Sequence, residues 1–193
     1  EQKKLFAIFN EDTRWSRILE TTNVGELDES IDNGSISELI KISEALHEKK
    51  IAHIADVISE RIHVTKFILI AGPSSSGKTT FAKRLAIQLR VNGIKTASIS
   101  TDNYFLSREE TPRDEFGDYD FESLEALDLE LFNTHLIALL EGKEIEMPKF
   151  SFSRGKRRDR GTRIHIPREM PVVIEGIHSL NPKLTSAIPR TKK

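Results

Sequence analysis

The sequence of 193 residues contains no cysteine. This absence excludes a disulfide-stapled fold, a cysteine nucleophile, thiolate zinc sites and iron–sulfur clusters. The longest charge-free stretch around the apolar maximum, Phe67 to Gly77, is far shorter than the roughly 20 residues that a membrane-spanning helix needs. The first residues, EQKKLFAIFNEDTR, carry early charges and lack the apolar core of a secretion signal. We therefore expect a cytoplasmic protein with no membrane partner.

An excess of charge of either sign is also missing. Lys and Arg number 29 and Asp and Glu number 30, so the net charge is −1. This balance excludes a protein that binds polyanions through bulk charge, although a local basic patch is compatible with it. Apolar residues make up 37% of the chain, which is too many for a disordered protein and normal for a folded globule. The overall charge therefore argues against a nucleic-acid partner.

The length suits one domain with a small appendage. Residues 1–65 are polar, and apolar residues recur with helical spacing in Ile36–Leu46 and in Ile51–Ile62, after a turn at Asn33-Gly34-Ser35. We therefore predict a mainly helical N-terminal region over residues 1–65. A packed appendage without chemistry is the favoured interpretation, because an apolar helical stripe more often faces a core than forms a site.

The apolar pattern changes at Lys66. Phe67–Ile70 is a continuous apolar run, which is typical of a strand buried on both faces. The later pattern predicts a helix from Thr80 to Asn92-Gly93, a strand over Thr96–Ser100, a helix over Ser123–Leu140 that Gly142 stops, and a third buried strand, Val172–Ile174, ending in Glu175-Gly176. Strand, glycine loop, helix and strand in this order open a right-handed parallel sheet. We therefore predict an α/β fold with a parallel sheet flanked by helices.

A glycine-rich loop joins the first predicted strand to the first predicted helix of this region. It reads GPSSSGKT and satisfies the P-loop, or Walker A, pattern G-x-x-x-x-G-K-[ST]. Its glycines let backbone N–H groups turn towards a phosphate, and the following helix adds its positive end. Lys78 can reach the outer phosphates of ATP, and the Thr79 hydroxyl can ligate magnesium. The candidate nucleotide-binding residues are Gly72, Pro73, Ser74, Ser75, Ser76, Gly77, Lys78, Thr79 and Thr80.

Two carboxylates follow predicted strands. Asp102 comes just after the second strand, and Glu175 closes the third. Because parallel strands end at one crevice, both side chains are expected to face the phosphates at the glycine loop. Such a carboxylate can accept a proton from an attacking hydroxyl or hold magnesium. The alternative for Asp102 is a turn or helix cap, since Asp-Asn is common in turns.

Five segments occur in the order seen in the uridine–cytidine kinases. They are GPSSSGKTTFAKRL, STDNYF, DYDFESLEALD, GKEIEMPKFSFSRGKRR and VVIEGIHSL, and they span roughly Lys66 to Asn181. The chain therefore resembles the phosphoribulokinase/uridine kinase family of P-loop kinases. The resemblance implies a P-loop kinase fold and magnesium-dependent transfer of the ATP γ-phosphoryl group to the 5′-hydroxyl of uridine or cytidine, as in pyrimidine salvage.

The resemblance also implies roles for individual residues. Asp102 matches the family's base, with Lys78 as the second catalytic residue. Thr79, Glu175 and Asp102 match the groups on the metal side. Asp120 falls where the family holds the ribose hydroxyls, and Phe150 and Phe152 fall where aromatic rings flank the base. Gly155 stands where the family usually has a histidine. Without the family, Phe150-Ser151-Phe152 would be read as an alternating strand and Asp120 as a loop charge.

The same resemblance bears on domain organisation and on partners. Some bacterial members of the family carry a synthetase-like region before the kinase domain, and residues 1–65 look like the tail of such a region. Residues 66–193 then form a kinase domain that we expect to be incomplete at its C-terminus, because the family has a lid further on. Family members often assemble, so the resemblance also implies a homo-oligomer.

Two alternatives to a nucleoside kinase stay open. One is a kinase of the same group for another small hydroxylated or phosphorylated acceptor. The other is an ATP-binding module without turnover. The basic run Arg154–Arg160 also has open interpretations: a solvated loop, a contact to a substrate or product phosphate, or a nucleic-acid contact.

Overall fold

The structure, a computed structural model, describes residues 2–193. The chain divides into two compact units, Glu1–His53 and Ile54–Lys193. Within the described residues, no helix combines the length and the apolar character that a membrane crossing requires.

The N-terminal region is helical, as predicted. Its helices are α1 (Gln2–Ile18), α2 (Val24–Asp32) and α3 (Ile36–Glu60). The Asn23 side chain caps α2 by accepting a hydrogen bond from the Glu26 N–H. Gly34 adopts a left-handed φ of 80° in the turn before α3, which a residue with a Cβ rarely adopts. The two predicted helical stretches after this turn belong to the single helix α3, which ends at Glu60, two residues before the predicted end at Ile62.

The remaining regular elements belong to the second unit. The strands are β1 (Phe67–Ile70), β2 (Ala97–Ser100), β3 (Ile145–Met147), β4 (Phe150–Ser151), β5 (Lys156–Arg157), β6 (Thr162–Ile164) and β7 (Val172–Glu175), and the helices are α4 (Lys78–Val91) and α5 (Leu129–Leu140). Strands β3 and β6 form one antiparallel pair, and β4 and β5 form another. The three strands predicted from the sequence of this region are β1, β2 and β7.

These three strands form a parallel sheet in the order β1–β7–β2. Every residue of β7 is buried, which explains its unbroken apolar sequence before Glu175. In the register of the sheet, Glu175 lies between Ile70 of β1 and Ser100 of β2. The glycine loop begins two residues after Ile70, and Asp102 lies two residues after Ser100. The sheet therefore brings these three segments together at its carboxyl edge.

The predicted helix over Ser123–Leu140 is wrong in its first third. A short 3-10 turn covers Leu124–Ala126, and the α-helix begins only at Leu129, capped by the Asp128 side chain, which accepts from the Leu131 N–H at 2.9 Å. The Asp128 N–H donates instead to the Tyr104 carbonyl at 2.8 Å, and this bond holds the chain outside a helix. The helical spacing of the leucines therefore does not determine the structure of this stretch, because the hydrogen bond to Tyr104 prevents a helix there.

The core lies where α5 packs against the sheet. Its fully buried side chains include Phe67, Ile99, Tyr104, Phe132, Leu136, Leu139, Val172 and Ile174. Burial of each large apolar side chain contributes about 1.5–3 kcal/mol. The Tyr104 and Phe132 rings meet edge to face, with their centroids 4.8 Å apart. Because Tyr104 comes two residues after Asp102, this packing fixes the segment that carries Asp102.

Candidate active site

The glycine loop connects β1 to α4 and contains two left-handed residues. Ser75 has a φ of 59° and Gly77 a φ of 83°. A left-handed conformation costs a residue with a Cβ about 1–2 kcal/mol, and such strain is typical of functional loops. Gly77 also stands at the N-cap of α4 and gives that helix no side-chain cap. The first N–H groups of α4 have no acceptor inside the helix, so they can bind an anion.

Lys78 folds back over this loop. Its Nζ donates a hydrogen bond to the Pro73 carbonyl at 2.7 Å. A Cβ on Gly72 would lie 3.2 Å from the Lys78 Cγ and 2.7 Å from the Ser76 Oγ, so glycine at position 72 leaves the space that these side chains occupy. The ammonium group therefore stands at the mouth of the loop, where phosphate oxygens would compete with the carbonyl for it. The exposed Thr79 follows on the first turn of α4.

Glu175 and Lys78 both lie close enough to Asp102 for their charges to act on its carboxyl. The pKa of Asp102 is raised, mainly because neighbouring atoms displace water from part of its carboxyl, although the residue as a whole is exposed to solvent. The charge of Glu175 adds to the shift, and the charge of Lys78 opposes it. Glu175 itself is only 7% exposed. A carboxylate with a raised pKa binds a proton more readily than an ordinary aspartate does. This triplet of side chains can thus hold a proton, a phosphate and a cation in one place.

A side chain other than Asp102 caps the turn in which Asp102 lies. Residues Thr101–Tyr104 form a 3-10 turn, and its cap is Ser100, whose Oγ accepts a hydrogen bond from the Asp102 N–H at 3.3 Å. The alternative interpretation of Asp102 as a cap is therefore wrong for this turn. Its carboxylate is available for other chemistry.

The residues at this edge fit a magnesium ion. Within residues 2–193, no group of three or more His, Cys, Asp or Glu side chains is placed to hold a metal. Magnesium bound with a nucleotide needs fewer protein ligands, because one or two carboxylates are completed by phosphate oxygens and water. The charge of Glu175 raises the pKa of Asp102, so negative charge at this edge is incompletely neutralised. A cation held there would relieve that repulsion.

Asp120 is half-buried in a turn before α5. Its Oδ1 accepts hydrogen bonds from the Glu122 and Ser123 N–H groups, both at 3.0 Å. Such bonds are typical of an aspartate that shapes a turn. Because both bonds use Oδ1, Oδ2 is the oxygen that Asp120 can offer to a ligand.

The two phenylalanines of the β4 region differ in exposure. Phe150 is 9% exposed and belongs to the core, whereas Phe152 is 60% exposed. Their ring centroids are 5.0 Å apart, and the Phe105 ring lies 5.6 Å from Phe150 and 5.9 Å from Phe152. Phe121 lies 6.1 Å from Phe105. These four rings connect the segment after Asp102 with the turn of Asp120.

Phe105 contacts both predicted phenylalanines and was not singled out from the sequence. It ends the segment STDNYF, so a signal was present, but nothing local indicates that its ring meets residues 45 positions later. The structure therefore brings the two predicted phenylalanines together with two further rings, Phe105 and Phe121.

One residue of the basic run has a structural role. Arg157 forms an ion pair with Asp128 at 2.9 Å and donates to the carbonyls of Tyr104 and Phe105 at 2.9 and 3.1 Å. The interpretation of the whole run as a solvated loop is thus wrong for Arg157. This side chain connects the β4–β5 hairpin to the segment that follows Asp102.

Comparison with known proteins gives concordant matches. A model of the phosphoribulokinase / uridine kinase family matches residues 67–184. A uridine kinase of Halobacterium salinarum is 33% identical over 112 residues, which are 58% of this chain and 48% of that protein. A uridine kinase of Deinococcus deserti is 32% identical over 119 residues, 61% of this chain and 56% of that protein. The chain spans about half the length of these two curated relatives.

Two solved structures are similar at 20% sequence identity. A putative fructose transport system kinase from Silicibacter sp. TM1040 has a TM-score of 0.53, with 71% of this chain and 68% of that chain covered. A possible uridine kinase from Bacillus stearothermophilus also has a TM-score of 0.53, with 69% and 75% covered. At this identity the likeness shows a shared fold, which is the P-loop kinase fold with helices on a parallel sheet.

Proposed function

Because the chain belongs to the phosphoribulokinase / uridine kinase family, we propose that it transfers the γ-phosphoryl group of ATP to the 5′-hydroxyl of uridine or cytidine. The observation that carries the proposal is the position of Asp102. Its carboxylate has a raised pKa and lies close enough to Lys78 and Glu175 for their charges to affect that pKa. A base beside the phosphate loop is what transfer to a hydroxyl requires.

The ATP phosphates would bind at Gly72–Thr80. Backbone N–H groups at the start of α4 and the Lys78 ammonium supply the positive field. Lys78 would exchange its bond to the Pro73 carbonyl for a bond to the outer phosphates. This exchange replaces a neutral acceptor with a charged one, and hydrogen bonds between charged partners are roughly twice as strong as neutral ones.

Thr79, Glu175 and Asp102 are the residues that would hold magnesium. When bound, the ion neutralises charge on the transferring phosphate and on its leaving group. Glu175 suits this role because its buried place in the central strand β7 keeps its carboxylate near the loop.

In the transfer step, the 5′-oxygen forms a bond to the γ-phosphorus, and the bond from that phosphorus to the β–γ bridging oxygen breaks. ADP leaves with the electron pair of the broken bond. Asp102 accepts the proton of the 5′-hydroxyl as the new bond forms. The contribution of the protein is mainly positioning and charge stabilisation, since phosphoryl transfer needs little covalent help.

The nucleoside would bind at the aromatic cluster, which consists of the rings of Phe105, Phe121, Phe150 and Phe152. Phe152 exposes a ring on which a pyrimidine can stack, and Phe105 and Phe150 support that ring from behind. Asp120 would accept a hydrogen bond from a ribose hydroxyl through Oδ2. The reaction returns free nucleosides to the nucleotide pool, and we propose that it takes place in the cytoplasm, where ATP is supplied and a cysteine-free chain needs no oxidising compartment.

An acceptor screen with γ-labelled ATP tests this function. Label should pass to uridine or cytidine, and more slowly or not at all to a pentose phosphate. The Lys78→Ala variant should lose the transfer. The matched control Lys83→Ala, which removes an exposed lysine from the same helix α4, should keep it. Preference for the pentose phosphate would support the other kinase hypothesis. ATP binding without transfer to any acceptor would support a binding module.

A further inference from the structure

The β4–β5 hairpin contains a pocket that the proposed reaction does not use. Its volume is about 420 Å³. Two serines and four basic residues line it: Ser151, Ser153, Arg154, Lys156, Arg157 and Arg158. Asp159 also lines it and is the single acidic lining residue. We call this cavity the hairpin pocket.

The hairpin pocket is separate from the aromatic cluster. Ser151 and Ser153 line the pocket, whereas Phe150 and Phe152 do not. The observed contacts agree, because the two serine hydroxyls lie 3.2 Å apart, whereas the two phenylalanine rings pack on each other. Lys156 pairs with Ser151 across the hairpin. A ligand in the pocket therefore does not contact the surface proposed to hold the nucleoside.

Positive charge in the pocket is largely uncompensated. Arg157 is paired with Asp128. In the part of the chain that the structure describes, no carboxylate lies within ion-pair distance of Arg154, Lys156 or Arg158. Three neighbouring cations repel one another, and an anion that binds among them gains their combined attraction.

The pocket is also preformed. The Gly155 N–H donates to the Ser151 carbonyl at 2.8 Å, and the Arg158 N–H donates to the Lys149 carbonyl at 2.8 Å. Gly155 has a φ of 63°, and its carbonyl accepts a bond from the Arg108 N–H at 2.8 Å. The hairpin is thus held on both sides of its turn. A preformed site loses less conformational entropy when a ligand binds.

The chemistry of the lining selects phosphate among anions. Arginine donates paired N–H groups that match two oxygens of one phosphate, lysine adds a point charge, and serine hydroxyls donate to a further oxygen. The volume lies within the roughly 300–1,000 Å³ of small-molecule sites and admits more than a bare ion. We propose that the hairpin pocket binds a small phosphorylated anion at a site distinct from those of ATP and the acceptor. This inference goes beyond the proposed kinase activity and does not depend on it.

Titration with inorganic pyrophosphate, followed by amide NMR shifts of residues 151–159, tests the proposal. The Lys78→Ala chain serves as background, because the glycine loop also binds phosphates. In this background the hairpin amides should shift with a saturable dependence on pyrophosphate. Adding Arg154→Gln together with Arg158→Gln should raise the dissociation constant at least about tenfold, since two groups that form charged hydrogen bonds to the anion are lost.

A matched pair of substitutions controls for diffuse charge. Arg160→Gln with Arg163→Gln removes the same number of charges from exposed positions outside the pocket lining and should leave the dissociation constant nearly unchanged. Equal weakening by both pairs, or no saturable shift in the background chain, would overturn the proposal. Lys156→Gln gives an independent second test in the pocket, and thermal melting verifies that each variant is folded.

A second titration identifies the source of the phosphate group. Uridine 5′-monophosphate replaces pyrophosphate, and only the part of its binding that Arg154→Gln with Arg158→Gln removes is assigned to the pocket. Tighter binding of the monophosphate than of pyrophosphate supports a phosphorylated nucleoside as the ligand. Equal or weaker binding supports recognition of the phosphate group alone. If that variant binds both pyrophosphate and the monophosphate as tightly as its background does, the proposal is contradicted.

Discussion

A Cβ atom on Gly176 would lie 1.8 Å from the Thr101 Oγ1 and 2.9 Å from the Thr101 Cβ. Glycine is therefore the residue that lets the ends of β7 and β2 come this close. Gly176 directly follows Glu175, and Thr101 directly precedes Asp102. This contact thus sets the distance between the two carboxylates of the candidate active site.

The Gly176→Ala variant should be less stable than the parent by about 1–3 kcal/mol, the usual cost of overpacking a buried contact. Urea denaturation measures the change. Thr101→Ala removes Oγ1 and Cγ2, which are two of the three Thr101 atoms that the new Cβ would meet, so the double variant should recover part of the loss. Strictly additive effects of the two substitutions would contradict a direct contact between these residues.

Lys78→Ala should weaken ATP binding by roughly tenfold or more, because a charged hydrogen bond contributes about 1.5–3 kcal/mol. The loss of the Pro73 bond costs little, since that bond is made at the mouth of an exposed loop. Calorimetric titration with ATP measures the affinity, and Lys83→Ala is the matched control. Unchanged affinity in Lys78→Ala would remove the phosphate-loop assignment.

Alanine substitutions of Phe150 and Phe152 should have different effects, one on stability and the other on substrate binding. Phe150→Ala empties a core position and should cost about 3–5 kcal/mol of stability. Phe152→Ala alters an exposed ring and should change stability by less than about 1 kcal/mol, yet raise KM for the nucleoside about tenfold through the lost stacking. Denaturation and steady-state kinetics give the two readouts. A Phe152→Ala enzyme with the parental KM would show that the nucleoside binds elsewhere.

His135 should make stability depend on pH. Its Nδ1 shares a hydrogen bond of 3.0 Å with the Tyr104 hydroxyl. Burial lowers the pKa of His135 below the usual 6.5; the charge of Asp128 opposes this shift, and that of Arg157 adds to it. The unfolded chain therefore binds a proton at a higher pH than the folded chain does. This contribution to stability is complete above pH 6.5 and is lost as the pH falls through the lower, folded pKa.

Denaturation between pH 8 and pH 5 tests this dependence. The parent should lose up to about 1.4 kcal/mol per pH unit within that window relative to His135→Gln. His165→Gln, which changes an exposed histidine, should keep the parental slope. If stability depends on pH in the same way in the parent and in His135→Gln, then His135 binds protons equally in the folded and the unfolded chain.

Local sequence was sufficient where a single segment determines its own structure. The apolar runs of β1 and β7 and the glycine loop before α4 are such segments, and the first two were predicted to within one residue. The structure of the stretch Ser123–Asp128 was not predicted correctly. The Asp128 N–H donates to the Tyr104 carbonyl, and no local pattern connects these two residues. Its leucines do have helical spacing, but the tertiary hydrogen bond to Tyr104 overrides this local preference.

The candidate site also contains some features that local sequence predicts and others that depend on contacts between distant segments. The P-loop pattern and the two strand-end carboxylates could be read from spacing alone, because a parallel sheet places strand ends together. The role of Arg157 could not be predicted from spacing, since its partners are Asp128 and two backbone carbonyls far away in sequence. A basic run looks the same in sequence whether its residues bind solvent, a ligand or the fold.

The most direct test of the proposed kinase is nucleoside-dependent ADP formation by Asp102→Asn. This change keeps the shape of the side chain and leaves Gly72–Thr79 intact, so ATP affinity, measured in parallel, should change little. The rate should fall by roughly 10²–10⁴, the usual contribution of a positioned base. Asp28→Asn, an exposed position on α2, should retain the parental rate. An Asp102→Asn chain that phosphorylates uridine as fast as the parent would contradict the assignment of Asp102 as the base.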